Sequence, residues 1–348
     1  MLENKIISDD DKEHQPHEWW AEFTDDNVLA GIDALDAWWP LPRGTRVLGI
    51  FPHGASFWSR TARIDTRQED GSQKSFFVKL TSGLTGKAMV AGELESMTAL
   101  HQNIPFATPA PIACGTYAFN PSINFFLCEF TEMVDELPDI QRFASTIAQL
   151  HRVSTSPNGK YGFSVPTYLG GMAQHTAWTE SWEVFFTDYM QHLMRQIESA
   201  QGPDPEFKEL FEAVVQKVIP RLMRPLETGG RSIKPSLVHG DLYAGNVSVD
   251  EKALEPIIYD ATCLYAHNEW DVAPWGLLRH KIGKPYMKAY FRHFPISEPE
   301  EDMEDRNKLY ICAIEAMRAL IQKFPDGYEG WAKENGEEPV PHPQTKGS

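Results

Sequence analysis

The chain lacks several features that would place it in a specialised class of protein. No apolar run approaches the roughly 18 residues that a membrane-spanning helix needs, and the N-terminal stretch lacks the basic and apolar regions of a secretory signal peptide. The cysteines are few and widely spaced, and they form no metal-binding pair: Cys114, Cys128, Cys263 and Cys312. We therefore expect a cytoplasmic protein without a membrane partner and without structural zinc.

Positive charge is also scarce. The 348 residues include 32 Lys and Arg against 49 Asp and Glu, which gives a net charge of −17. Binding to the phosphate backbone of a nucleic acid requires a basic surface that releases counterions, so we expect no nucleic-acid partner. A nucleotide needs only local cations, and the 42% hydrophobic share supports a sizeable core in two lobes or two domains.

Three oxygen-bearing side chains occur at a characteristic spacing in the stretch 236–273. Asp241 and Asn246 lie five residues apart in a turn-rich loop between apolar runs, and Asp260 closes another apolar run 19 residues after Asp241. Phosphoryl-transfer enzymes use this layout, with an Asp near the acceptor hydroxyl, an Asn on one Mg²⁺ and a later Asp bridging the metal ions. We predict these roles here, with ATP and Mg²⁺ as cofactors; an ordinary polar turn is the alternative.

The upstream chain contains candidates for nucleotide binding. Lys79 lies on the third of five predicted strands, 14 residues before Glu93 in a predicted helix. In the kinase template, a strand lysine held by such a glutamate contacts the α- and β-phosphates. Glu95 is the alternative partner, and a solvated surface lysine is the alternative role. Ser56 is a weaker candidate for phosphate contact, because its loop has one glycine where protein kinases have three.

Five runs of sequence resemble the fructosamine kinases, also called ketosamine 3-kinases, a family that includes protein-ribulosamine 3-kinases. The runs are FFLCEF, AQLHRVSTSPNGKYGF, TESWEVFF, HGDLYAGN and IIYDATCLYAHNEWDVA. The resemblance extends from about Arg46 to about Phe324. It implies the protein-kinase-like fold of aminoglycoside and choline kinases, an α+β bilobal fold. Its N-lobe is a five-stranded antiparallel sheet, and its mainly helical C-lobe carries a helical insertion.

The predicted organisation has four parts. Residues 1–40 form an N-terminal arm and helix, and 41–131 form the nucleotide-binding N-lobe. Residues 132–334 form the helical C-lobe with the catalytic loop and the acceptor site, and 335–348 form a disordered tail. Inside the C-lobe, the stretch 154–180 is rich in glycine and proline and precedes two strongly periodic helices.

The resemblance also adds site candidates at the hinge and around the catalytic stretch. These are Glu129, Phe130, Trp182, His239, Glu269 and Asp271. The backbone of Glu129 and Phe130 would meet the adenine, and Trp182 would contact the acceptor. Asp271 would hydrogen-bond the catalytic loop, with a simple helix cap as the alternative. His151 lies on an apolar helical stripe, which favours a buried core histidine over a general base.

The implied activity is phosphorylation of the 3-hydroxyl of a ketosamine, a ribulosamine or fructosamine adduct of lysine, either free or on a glycated protein. The unstable product would release the amine, which makes the reaction a deglycation repair step. Gly240 before Asp241 argues against a signalling protein kinase, because no arginine is present there to pair with an activation-loop phosphate. A kinase for another small hydroxyl compound, such as an aminoglycoside or a choline-like alcohol, and a silent nucleotide-binding module remain alternatives. The oligomeric state is open.

Overall fold

The computed structural model of the protein describes residues 41, 44–54, 59–117, 120–277, 281–311 and 314–341. The predicted N-terminal arm and helix, Ser56, Cys312 and the end of the predicted tail lie outside these residues. Two compact units are present. The first contains the described residues up to Val90 together with Ile112–Phe130, and the second contains Ala91–Pro111 and the described residues from Thr131 onward.

The first unit is built on a five-stranded sheet in the order β1-β2-β3-β5-β4. Its strands are β1 (Arg46–Pro52), β2 (Arg60–Arg67), β3 (Gln73–Ser82), β4 (Pro111–Thr116) and β5 (Ile123–Glu129). The pairs β1–β2, β2–β3 and β3–β5 are antiparallel. Because side chains alternate across a strand, Phe76, Val78 and Leu80 of β3 enter the hydrophobic core. The five-stranded sheet predicted from the sequence is confirmed.

Helices dominate the second unit. They are α1 (Gly83–Asn103, whose first residues belong to the first unit), α2 (Ile140–Val153), α3 (Trp182–Gln201), α4 (Pro205–Ala213), α5 (Ile219–Met223), α6 (Asn268–Val272), α7 (Lys284–His293), α8 (Met303–Ile311), α9 (Ile314–Lys323) and α10 (Gly327–Asn335). Asp139 caps α2 by accepting hydrogen bonds from the N–H groups of Gln141 and Arg142. No helix in the described part of the chain is long and apolar enough to span a membrane.

Short strands position the loops of the second unit. The strands β6 (Met133–Val134), β10 (Val247–Asp250) and β11 (Pro256–Ile258) form one small sheet, and β9 (Ser236–Val238) pairs with β12 (Leu264–Ala266). The glycine-rich stretch 154–180 contains a hairpin, β7 (Tyr168–Leu169) and β8 (Met172–Ala173). It is further fixed by the bridge between Gly162 and Tyr265, so it is an ordered part of this unit.

The segment predicted to be a disordered tail makes specific contacts in its described part. Helix α10 ends at Asn335, and Glu337 then forms an ion pair with Arg231 at 2.8 Å. The carbonyl of Val340 accepts a hydrogen bond from Arg224 at 2.9 Å. Two arginine side chains therefore hold the chain beyond α10 against the second unit.

Glu269, a predicted site candidate, belongs instead to a buried ion pair. Both side chains of the Glu269–Arg306 pair are fully buried, and the guanidinium contacts both carboxylate oxygens at 2.7 and 3.0 Å. The backbone N–H of Ser297 donates a third hydrogen bond to the same carboxylate. Glu269 therefore joins α6 to α8, which does not support its choice as a candidate for substrate contact.

We expect Glu269→Gln to destabilise the protein strongly, because it leaves the Arg306 charge buried without a neutralising partner. Removing one member of a buried pair costs about 3–5 kcal/mol. The measurement is the free energy of unfolding in urea. The matched control is Glu255→Gln, because Glu255 pairs with Arg142 at an exposed position, where an ion pair contributes less than about 1 kcal/mol. Equal losses in the two variants would contradict the structural role of Glu269.

Candidate active site

The loop that carries Asp241 and Asn246 runs from β9 to β10, as the strand, loop, strand pattern predicted. A short turn of 3₁₀ helix, Ala244–Asn246, closes the loop. The side-chain amide of Asn246 donates to the Asp241 carbonyl at 2.9 Å and to the Asp241 carboxylate at 3.0 Å. Because the Nδ2 hydrogens are used in this way, Oδ1 is the acceptor that the amide retains for a ligand.

Asp260 is brought next to this loop by the pairing of β10 with β11. Val247 lies opposite Ile258, and one step further the N–H of Tyr259 donates to the Asn246 carbonyl at 3.1 Å. Asp260 follows immediately and has a left-handed backbone, with φ of +59°. Few non-glycine residues adopt this conformation, and those that do are found where the surrounding structure holds them, often at functional sites.

The electrostatics of Asp241 reflect its surroundings. Burial and the nearby charge of Asp260 raise the pKa of the Asp241 carboxyl to about 6, although the hydrogen bond from Asn246 opposes this change. Two acidic groups thus repel each other in a place where water screens them poorly. A divalent cation bound to Asp260 would relieve that repulsion.

His239 supports the loop as a buried, neutral side chain. Its Nδ1 accepts a hydrogen bond from the Asp241 N–H at 3.3 Å, so Nε2 carries the proton and donates to the Tyr259 carbonyl at 3.0 Å. Burial lowers the pKa of His239, which agrees with this tautomer. The histidine therefore ties the backbone at Asp241 to the backbone that precedes Asp260.

Asp271 makes the contacts predicted for it. Its carboxylate accepts hydrogen bonds from the N–H groups of His239 and Gly240, both at 3.0 Å. A third contact, at 3.1 Å, comes from Nε2 of His151. Burial alone would raise the pKa of Asp271, but the hydrogen bond with His151 and the contacts with His239 hold it below its usual value. The group is therefore a buried carboxylate that orients the catalytic loop.

His151 is the core histidine that its helical position indicated, and it has a role that the sequence did not show. Its Nδ1 contacts the hydroxyl of Tyr290 at 2.8 Å, and that hydroxyl accepts a hydrogen bond from Asn268 at 2.8 Å. Both ring nitrogens are thus occupied, and His151 links α2 to Asp271. A buried histidine needs polar partners, but those partners are more than 100 residues away along the chain.

Gly240 is required by a close approach of two backbones. Its φ is +85°, and a Cβ at this position would lie 2.3 Å from the carbonyl oxygen of Thr262. The Thr262 N–H donates to the His239 carbonyl at 2.9 Å. Any side chain at residue 240 would therefore separate the catalytic loop from the segment that follows Asp260.

The oxygen donors of this site fit Mg²⁺ that is shared with a nucleotide. The described residues contain no cluster of three or more His, Cys, Asp or Glu side chains arranged to hold a metal. Mg²⁺ is typically bound by one or two carboxylates together with substrate phosphates and water. The Asn246 amide oxygen and the Asp260 carboxylate match that requirement.

The nucleotide-binding candidates are distributed over both units. Lys79, on β3, is buried at 9% exposure, which contradicts a solvated surface role. Glu93 on α1 is half-buried, whereas Glu95 is exposed. The pairing of Lys79 with Glu93 stays a prediction.

One predicted contact at the end of β5 needs correction. The Glu129 side chain forms an ion pair with Lys74, and the contact predicted for the Glu129 backbone stays a prediction. The N–H of Phe130 donates to the Ser75 carbonyl at 3.1 Å, and the Phe130 ring lies against His53 and under the guanidinium of Arg63. The Phe130 N–H is therefore used within the sheet, and it is not available to adenine as predicted.

Trp182 is not a substrate contact. Its side chain is fully buried, its indole N–H donates to the Tyr310 hydroxyl at 2.9 Å, and its ring stacks on Phe185. The helical periodicity correctly indicated that this face of α3 is apolar. Its position at the start of the helix suggested access to a pocket, but the tryptophan instead joins α3 to α8.

The fold is protein-kinase-like, as comparison with two solved structures shows. A provisionally named fructosamine-3-kinase from Haemophilus somnus 129PT superimposes with a TM-score of 0.61 at 18% identity, covering 85% of this chain and 96% of that one. An aminoglycoside phosphotransferase, APH(4)-Ia, solved with AMP-PNP and hygromycin B, gives a TM-score of 0.53 at 15% identity, covering 87% and 92%.

The chain belongs to the fructosamine kinase family, whose model matches residues 61–332. A chloroplastic protein-ribulosamine 3-kinase of Oryza sativa subsp. japonica is 29% identical over 238 residues, 68% of this chain and 65% of that protein. A ketosamine-3-kinase of Mus musculus is 29% identical over 247 residues, 65% of this chain and 77% of that protein. The chain thus spans slightly less than two thirds of the rice relative.

Neutralising Asp241 should stabilise the metal-free protein at alkaline pH. The folded-state pKa, about 6, lies above the ordinary value of 3.8, so ionisation opposes folding. The penalty is absent below the ordinary pKa, grows between these two values and is complete above the folded-state pKa. A tenfold change in proton affinity corresponds to about 1.4 kcal/mol, so we expect Asp241→Asn to gain about 3 kcal/mol at pH 8 and almost nothing near pH 4.

The measurement is the free energy of unfolding in EDTA across this pH range. Asp65→Asn serves as a control of opposite sign. Partial burial opposes ionisation of Asp65, but hydrogen bonds from Ser75 and Arg63 hold its pKa below the ordinary value, so its neutralisation should destabilise the protein at pH 8. Loss of stability in Asp241→Asn at pH 8 would show that the carboxylate is a structural group.

Proposed function

We propose that the protein is an ATP-dependent kinase that phosphorylates the 3-hydroxyl of ketosamines. The acceptors would be ribulosamine or fructosamine adducts of lysine, free or on glycated proteins, and the reaction would initiate deglycation. The observation that carries the proposal is that Asp260 lies next to the loop that carries Asp241 and Asn246, in a chain of the fructosamine kinase family. Asp271 holds that loop. The rice and mouse relatives are named for ribulosamine and ketosamine substrates.

Asp241 is the proposed general base. Its carboxylate would accept the proton of the acceptor hydroxyl, whose oxygen forms the new bond to the γ-phosphorus while the bond from that phosphorus to the ADP oxygen breaks. Asn246 and Asp260 would hold Mg²⁺, which neutralises charge on the phosphates during transfer. Phosphoryl transfer depends mainly on positioning and charge stabilisation, and the hydrogen bonds of Asn246 and His239 fix Asp241 for that task.

Lys79 is the proposed contact of the α- and β-phosphates, with Glu93 as its partner. Its burial supports this role, because a buried ammonium group needs an anion. We also propose a cytoplasmic location, because the four cysteines are few and widely spaced in the sequence, a pattern typical of proteins from reducing compartments.

We expect Asp241→Asn to abolish most of the turnover while leaving nucleotide binding nearly intact. The substitution removes the general base, and general base catalysis contributes about 10²–10⁴-fold to the rate. The assay measures ADP formation with Mg²⁺ and three acceptors: a ribulosamine-lysine, a fructosamine-lysine and an aminoglycoside. Glu251→Gln, an exposed position on the turn after β10, is the matched control and should retain full activity.

Three outcomes of this assay would change the proposal. Turnover with the aminoglycoside alone would identify a different acceptor class. Silence with every acceptor would favour a nucleotide-binding module without kinase activity. Near wild-type turnover by Asp241→Asn would remove Asp241 from the reaction.

We expect Asp260→Asn to lose the Mg²⁺-dependent part of nucleotide binding, since an amide is a much weaker ligand for Mg²⁺ than a carboxylate. Asn is chosen because it tolerates the left-handed backbone at this position better than Ala. The measurement is the rise in melting temperature that AMP-PNP produces with and without Mg²⁺. A Mg²⁺-dependent rise as large as that of the wild type would exclude Asp260 as a metal ligand.

A further inference from the structure

The four residues 260–263, here called the Asp260 segment, are held by hydrogen bonds from three other parts of the second unit. The Thr262 N–H donates to the His239 carbonyl at 2.9 Å. The Cys263 N–H donates to the hydroxyl of Ser96 on α1 at 3.0 Å. The Thr262 carbonyl accepts from the side chain of Gln174 at 2.9 Å. Main-chain groups of Thr262 and Cys263 are thus hydrogen-bonded to three separate parts of this unit.

Gln174 is the member of this set that comes from the stretch 154–180. Its side chain is buried, with 7% of its surface exposed. One Nε2 hydrogen is donated to the Thr262 carbonyl, and the other to the Thr167 hydroxyl at 2.9 Å. Its Oε1 accepts from the hydroxyl of Tyr189 on α3 at 3.0 Å. The Gln174 side chain thus uses two donors and one acceptor, which is the combination that a primary amide provides.

Asp260 needs such support because of its backbone. A left-handed aspartate persists only where its neighbours hold it there. Tyr259 is fixed on the N-terminal side, where its N–H bonds to Asn246 and its carbonyl to His239. On the C-terminal side the equivalent support is at Thr262, and Gln174 supplies the side-chain bond to that residue.

We propose that Gln174 is a positioning residue for the metal-binding carboxylate of Asp260. It would act through the Thr262 carbonyl, and it would set the affinity for the divalent cation that accompanies the nucleotide. This inference rests on the proposed function, because it assumes that Asp260 binds that cation. Residues that orient metal ligands typically change metal affinity or activity about 10–100-fold when they are replaced.

Gln196 provides a matched control. It is also a glutamine of the second unit, and its Nε2 donates to the carbonyl of Ala173 at 2.7 Å, one residue before Gln174. Gln196→Met removes an anchor of the same stretch without removing the bond to Thr262. Gln174→Met has a similar volume to the native side chain and removes the bond to Thr262.

The experiment measures Mn²⁺ binding by electron paramagnetic resonance in the presence of AMP-PNP, which is not turned over. We expect Gln174→Met to weaken Mn²⁺ binding about tenfold or more, Gln196→Met to match the wild type, and AMP-PNP affinity in EDTA to stay the same in all three proteins. Unchanged Mn²⁺ binding in Gln174→Met, or equal weakening in both variants, would overturn the inference. Absence of Mn²⁺ binding by the wild type would instead overturn the proposed function.

A second variant and a second measurement keep the test valid if Gln174→Met folds poorly. Tyr189→Phe removes the hydroxyl that orients the Gln174 amide and should weaken Mn²⁺ binding in the same direction. Hydrogen exchange needs no ligand, and the amides of Thr262 and Cys263 should exchange faster in Tyr189→Phe than in the wild type or Gln196→Met. Unaltered exchange together with unaltered Mn²⁺ binding in Tyr189→Phe would exclude a positioning role.

Discussion

The catalytic loop depends on one buried carboxylate. Asp271 receives two consecutive backbone N–H groups, those of His239 and Gly240, and the ring of His151 supplies a third contact. An ionised group in the interior is tolerated only when it is paired and hydrogen-bonded. The same bonds that satisfy Asp271 fix the direction in which the chain leaves β9, and that direction places Asp241. The position of the proposed base therefore follows from the solvation requirement of another acid.

The surroundings of Asp241 raise the pKa of its carboxyl, whereas those of Asp271 lower it. Burial and the proximity of Asp260 favour the protonated form of Asp241, so the folded chain holds an unfavourable concentration of negative charge. It is tolerated because the loop is fixed elsewhere, by Asp271, by His239 and by the pairing of β10 with β11. Strain and repulsion of this kind are common at functional sites. Stability is thus supplied by buried residues such as Asp271 and His239, and it maintains an arrangement suited to a cation.

Local patterns in the sequence predicted the five-stranded sheet and the strand, loop, strand arrangement around Asp241 well. Alternation of apolar residues identified five strands, and the spacing of Asp241, Asn246 and Asp260 was sufficient to place them on adjoining loops. The predictions that failed concern side chains whose hydrogen-bond or ion-pair partners could not be identified from the sequence. Trp182 and Glu269 point inward to Tyr310 and Arg306, and nothing in a local pattern identifies a partner on another helix.

The contacts that the sequence did not predict are hydrogen bonds between residues far apart in the chain. Gln174 and Thr262 are 88 residues apart, and His151 and Tyr290 are 139 residues apart. Glutamine in a loop rich in glycine and proline has no preference that would reveal such a contact, because its side chain is equally suited to solvent. Such contacts appear only when the fold has brought β9, β12 and the stretch 154–180 together.

The surroundings of Gly240 differ from those of the same position in a kinase that is switched on by phosphorylation. In a signalling kinase, an arginine before the catalytic aspartate can pair with a phosphate on a long activation segment. Here the Cβ of any residue at position 240 would lie 2.3 Å from the Thr262 carbonyl oxygen, so the two backbones meet where that side chain would begin. The Asp260 segment is consequently held by main-chain contacts and by fixed side chains such as Ser96. A segment ordered by such hydrogen bonds needs no added phosphate charge to order it. This suits the proposed kinase, which would act whenever its acceptor is present.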